Sequence, residues 1–126
     1  MIRKHRVTLT SAGVAGSAVA TATLTLGRPG FVRAIAVDYH ASAPATTDLL
    51  IKADSAAGVT LFTATNTATD IAAKPVGMPG VDEGNAATAA TDLGSGGWPF
   101  GTGLVVSVAQ SDALTGVAVV DLWLET

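Results

Sequence analysis

The sequence predicts an all-β chain folded as an antiparallel β-sandwich, and three observations carry that expectation. Apolar and polar residues alternate with period two from one end of the chain to the other. Glycine and proline clusters break the alternation into short segments, and no segment shows apolar residues at helical spacing. Only 13% of residues are charged, too few for the solvent face of long amphipathic helices. With 126 residues, the chain is sized for one domain spanning 1–126.

Each element follows from its side chains. In 20–26, Thr21, Thr23 and Thr25 face one way while Ala22, Leu24 and Leu26 face the other, which describes a strand with one buried face. A shorter segment before it alternates Val7 and Leu9 with Thr8 and Thr10, and 13–16 supplies the turn between them. After the break at 27–30, Phe31, Arg33, Ile35, Val37 and Tyr39 alternate with Val32, Ala34, Ala36, Asp38 and His40 in the longest strand. A short strand at 48–53 turns through 54–58 into 59–64, with Gly58 the expected positive-φ position. A further strand is expected at 67–73. Periodicity then stops, and 76–103 is expected to be one long loop holding eight of the fourteen glycines. Strands return at 104–110 and 117–124, giving about eight in all. Such strands pack most economically as two facing sheets, in a sandwich or jelly roll. In the last strand only Asp121 interrupts two apolar faces, so Trp123 is expected in the core or at a subunit interface.

Charge is unevenly placed. Arg3, Lys4 and Arg6 lie within the first six residues and leave four basic against ten acidic groups in the rest. Residues 1–6 therefore read as a basic arm on an acidic body, either solvated or docked on an acidic partner. The net charge of −3 gives no reason to expect nucleic-acid binding, and no apolar run is long enough to span a membrane as a helix. The start also imitates a secretory signal, with Ala18-Val19-Ala20 as a cleavage site, but Thr8, Thr10, Ser11, Gly13, Gly16 and Ser17 interrupt its apolar segment.

A search for chemistry finds no catalytic set. The absence of cysteine removes disulfides and thiolate sites, and the only histidines are His5, in the basic arm, and His40. Asp38 and His40 share a strand face in the alternating reading, about 7 Å apart, the beginning of a metal site and more simply a solvated pair. Asp82-Glu83-Gly84-Asn85 lacks the ligand spacing of a calcium loop, and Gly94-Ser95-Gly96-Gly97 lacks the lysine of a phosphate loop. The chain is expected not to be an enzyme and to need no cofactor. Trp98 and Phe100, on either side of Pro99, are read as a plug under the long loop or as aromatic anchors for a protein partner. The partner-binding candidates are thus Arg3, Lys4, Arg6, Trp98 and Phe100.

The Thr/Ala/Gly-rich style, the stretch from Phe31-Val32-Arg33-Ala34-Ile35-Ala36-Val37-Asp38-Tyr39-His40 through Thr46-Thr47-Asp48-Leu49-Leu50-Ile51, and Leu104-Val105-Val106-Ser107-Val108-Ala109-Gln110-Ser111-Asp112 carry a resemblance. Over about half the chain they resemble decoration, or cement, proteins of tailed-bacteriophage heads. That resemblance implies a homotrimer on the capsid exterior of a virion, with the major capsid protein as partner, bracing the shell. No residue set transfers with it. Two other readings fit the composition: a tail or head-fibre module of the virion, and a secreted glycan-binding sandwich processed within 18–22.

Overall fold

A strand with one apolar face is stable only when that face is covered, and here two sheets cover each other. The computed structural model describes residues 1–74 and 97–126. Among the described residues there are nine strands and no helix: β1 (Ile2–Leu9), β2 (Ala18–Thr25), β3 (Gly30–Tyr39), β4 (Asp48–Ala53), β5 (Thr60–Ala64), β6 (Ile71–Ala73), β7 (Trp98–Phe100), β8 (Gly103–Ser111) and β9 (Ala118–Glu125). One sheet runs β1-β9-β3-β6, with β7 paired beside β6 along the same strand β3; the other runs β2-β8-β4-β5. Every pairing is antiparallel. The chain is therefore an antiparallel β-sandwich.

The connections alternate between layers. β1 to β2, β2 to β3 and β3 to β4 each cross from one sheet to the other, β4 and β5 form a hairpin, and β7 to β8 to β9 cross again. First and last strands thus become neighbours, with Ile2 opposite Glu125 and Leu9 opposite Ala118. The core lies between the layers, where Leu9, Val32, Ile35, Val37, Leu122 and Leu124 meet Leu49, Ile51, Leu104, Val106 and Val108. The alternation in β2 holds as expected, its threonines exposed and its alanines and leucine turned inward.

β3 departs from strict alternation. A single phase would place Phe31, Arg33, Ile35, Val37 and Tyr39 on one face, yet Val32 is buried while Phe31 is exposed. The register against β9 slips between Val32 and Ala34, so Arg33 is the extra residue of a bulge. A bulge changes the phase of a strand by one. It keeps Val32 in the core beside Ile35 and lifts the guanidinium and the Phe31 ring to the outside.

Four expectations need correction. The basic residues 1–6 are not an arm: β1 begins at Ile2, because its backbone continues the ladder on β9. The expected loop 76–103 contains β7 and the first residue of β8; positions 75–96 lie outside the described residues. The strand expected at 67–73 shortens to Ile71–Ala73, since Asn66 takes a left-handed φ of 53° and the Asp70 carboxylate accepts the Tyr39 N–H at 2.9 Å. In the β4–β5 turn Asp54, not Gly58, has positive φ, at 69°. Gly58 is needed there because a Cβ would stand 1.7 Å from the Ala53 carbonyl oxygen.

Two polar devices close the ends of the sandwich. Asp54 accepts the N–H groups of Thr102, Gly101 and Gly103 at 2.6, 2.9 and 3.2 Å, tying the β4–β5 turn to the start of β8. At the other end buried Thr47 donates to the Pro44 carbonyl at 2.6 Å, and buried Ser11 donates to the Asp112 carbonyl at 2.5 Å.

Among the described residues Tyr39 is the exception, a buried side chain whose hydroxyl finds no hydrogen-bond partner there. Burial, with Asp48 and Asp70 nearby, pushes its phenol up to about 12 from an ordinary 10. The neutral form is favoured in the folded state, so its contribution to stability is complete below pH 10 and is lost as pH rises through the folded value. Tyr39→Phe removes an unsatisfied hydroxyl and is expected to leave stability at pH 7 unchanged or raised by about 1 kcal/mol. It should also flatten the alkaline limb. Urea melts at neutral and alkaline pH check both, and a clear loss at pH 7 would show that the hydroxyl is satisfied.

Candidate partner-binding face

The outer face of the β1-β9-β3-β6 sheet gathers charged and large apolar side chains of the described residues, and register decides its rows. Lys4, Trp123 and Ala34 stand side by side, as do Arg6, Asp121, Ala36 and Ala72. Ile2, Glu125, Phe31 and Pro99 form the next row. Alanines at 34, 36 and 72 keep the floor low while Trp123 and Ile2 rise beside it. The result is an open apolar groove of about 520 Å³, with Arg33 and Lys74 at its rim. Ile2 is 52% exposed and Phe31 43%, so the face shows large apolar groups to solvent.

Two ion pairs organise the charges there. The Arg6 guanidinium donates to both oxygens of Asp121, at 2.8 and 3.0 Å, in the bidentate geometry that favours arginine. Those bonds hold the Asp121 carboxyl below its usual range, and Lys4 adds to the effect. Arg33 donates to Glu125 through Nε at 3.1 Å and through its terminal nitrogen, and it lies 5.2 Å from the centroid of the Phe31 ring. Its hydrogen bonds likewise depress the Glu125 carboxyl. Asp54 is depressed by its backbone donors, Thr102 first.

All three carboxyls sit below their unfolded values of 3.8 for aspartate and 4.5 for glutamate. Their contribution to stability is complete above the unfolded values and is lost as pH falls through the folded ones. Thermal melts are expected to hold steady above about pH 5 and to fall below pH 4. Because each pair has a partner open to solvent, added salt should shrink the Arg6–Asp121 and Arg33–Glu125 parts. Asp121→Asn should flatten the acid limb, and a limb unchanged by that substitution and by salt would contradict the assignment.

The five partner-binding candidates divide. Lys4 and Arg6 join the outer face, although Arg6 already has its carboxylate. Arg3 lies on the opposite side of β1, in register with Leu124, and its Nε donates to the Met1 sulfur at 3.4 Å. Phe100 is 5% exposed and packs in the core, so its ring offers no anchor to a partner. Trp98 is half-buried and stacks on Phe62 across the layers, with centroids 5.6 Å apart. The pair closes the sandwich at the β5 edge.

The Asp38–His40 pair does not survive as a strand-face arrangement. β3 ends at Tyr39, and the His40 Nδ1 accepts the Ser42 N–H at 3.0 Å in the following turn. Among the described residues no group of three or more His, Asp or Glu side chains is placed to hold a metal ion. Asp82, Glu83 and Gly94 to Gly96 lie outside the described residues. The processing site considered within 18–22 falls inside β2, where Ala18 and Ala20 are buried; cleavage there would remove β1 from its sheet.

Sequence reasoning missed the groove. Its trace was the small-residue row Ala34, Ala36 and Ala72 opposite Trp123, but period two alone does not say which strands become neighbours. Compared with protein-family models, with curated proteins and with solved structures, the chain finds no match.

Proposed function

We propose that this chain is a structural virion protein that binds the outer surface of an assembled phage capsid as an oligomer, a trimer on the family resemblance, and stabilises it. The observation that carries the reading is the strand order, β1-β9-β3-β6 facing β2-β8-β4-β5 with successive crossings between layers. We read that order as a jelly roll, an architecture of viral capsid domains and also of lectins. Fold alone does not assign function. The apolar groove and the low charge add to it, because a surface meant for other protein subunits is depleted of charge at its centre. Many symmetric contacts of modest strength would then give firm attachment.

The test mixes the folded protein with expanded shells assembled from the major capsid protein of the same virus. Co-sedimentation is expected to saturate at a fixed ratio and to raise the shells' resistance to heat, and native mass spectrometry is expected to give a trimer. Folded protein that fails to sediment with such shells would overturn the reading.

A further inference from the structure

We propose that the outer edge of β1 accepts an additional β-strand from a partner, and that the strand it accepts is acidic. The inference deepens the reading above, taking from it only that the partner is a protein.

β1 is the most regular edge of the sandwich. Its eight residues pair with β9 without a register break, from Ile2 opposite Glu125 to Leu9 opposite Ala118, and contain no proline. Among the described residues β9 is its only strand partner. The other edges are poorer templates. β5 is five residues long and its pairing slips at Ile51/Lys52, β6 and β7 have three residues each with Pro99 in β7, and the register of β2 breaks between Ala18 and Ala20. An unbroken edge presents N–H and C=O groups to any extended chain, and the side chains along it decide which chains can pair.

Those side chains are Arg3, Lys4, His5 and Arg6 in succession. A second copy would approach by antiparallel pairing of β1 with β1 about a two-fold axis. Registers centred on the basic run then oppose Arg3 to Arg6, Lys4 to Lys4, or Lys4 to Arg6, and like charges directly opposite are destabilising. The edge therefore rejects itself. Asp121 answers Arg6, whereas Arg3 and Lys4 form no ion pair among the described residues. Period two sends Arg3 and Lys4 to opposite faces, so the complement is a strand with carboxylates at adjacent positions. Main-chain bonds supply the affinity and the charges the selectivity.

The experiment titrates the full chain with a short acetylated peptide carrying consecutive glutamates between valines and threonines, followed by amide NMR. Shifts are expected along β1, with affinity falling as salt rises. The double variant Arg3→Glu, Lys4→Glu should bind the peptide roughly tenfold more weakly, a difference of about 1.4 kcal/mol. A peptide with lysines in place of the glutamates, and a glutamate peptide with alternate residues replaced by proline, should not bind. Absence of shifts at β1, equal binding of the lysine peptide, or equal binding of the proline peptide would each overturn the proposal. No shell enters this measurement, so its failure leaves the capsid reading standing, and failure of shell binding leaves the peptide result intact.

Discussion

Leu122→Ala is expected to destabilise the protein by about 2–5 kcal/mol, the range for deleting a fully buried leucine. Leu122 has no exposed surface and sits on β9, the strand between β1 and β3, with His5 and Ile35 beside it in register. β9 is hydrogen-bonded along both sides, and β3 is held in addition by its ladders with β6 and β7, so the site has little freedom to collapse around a smaller side chain. Domains of this kind have about 5–15 kcal/mol in total. The loss should lower the melting temperature by on the order of 10–20 °C. Chemical denaturation checks it, and a cost under about 1 kcal/mol would mean that the two sheets close over the cavity.

Gly103→Ala is expected to cost about 3 kcal/mol, the upper end for overpacking, because the obstruction is backbone. A Cβ at Gly103 would stand 2.2 Å from the Leu24 carbonyl oxygen and 3.2 Å from the Thr25 Cα, on the strand it pairs with. No rotamer change relieves that contact. β2 and β8 must separate, and the Asp54 clamp on the Gly103 N–H and carbonyl moves with them. Gly16→Ala is the matched control. Its Cβ would meet nothing within 4 Å, and its φ of 83° limits the cost to about 1 kcal/mol of left-handed strain. Equal effects of the two substitutions in urea melts would show that conformational freedom, and not close approach, explains Gly103.

The site was less legible than the fold, and particular residues show why. The threonine face of β2 follows from adjacent residues, since period two needs no knowledge of neighbours. The groove needs Ala34 and Ala36 on β3, Ala72 on β6 and Trp123 on β9 to lie side by side, and they are far apart in sequence. Phe100 and Trp98 looked alike in the chain. Pairing of β7 with β3 sends both inward, yet Phe100 reaches the core while Trp98 stops at the edge against Phe62.

By itself, then, the sequence determined that the chain is all-β, where most strands run, and which face of the regular ones is apolar. Those properties depend on alternation within a few residues. Tertiary structure alone decided that 2–6 belong to a strand, that Arg33 is a bulge, that Gly58 and Gly103 are required by close approach, and that Arg6 is bound to Asp121. Each depends on which backbone comes within about 5 Å of which, a matter of strand order and register that local alternation does not encode.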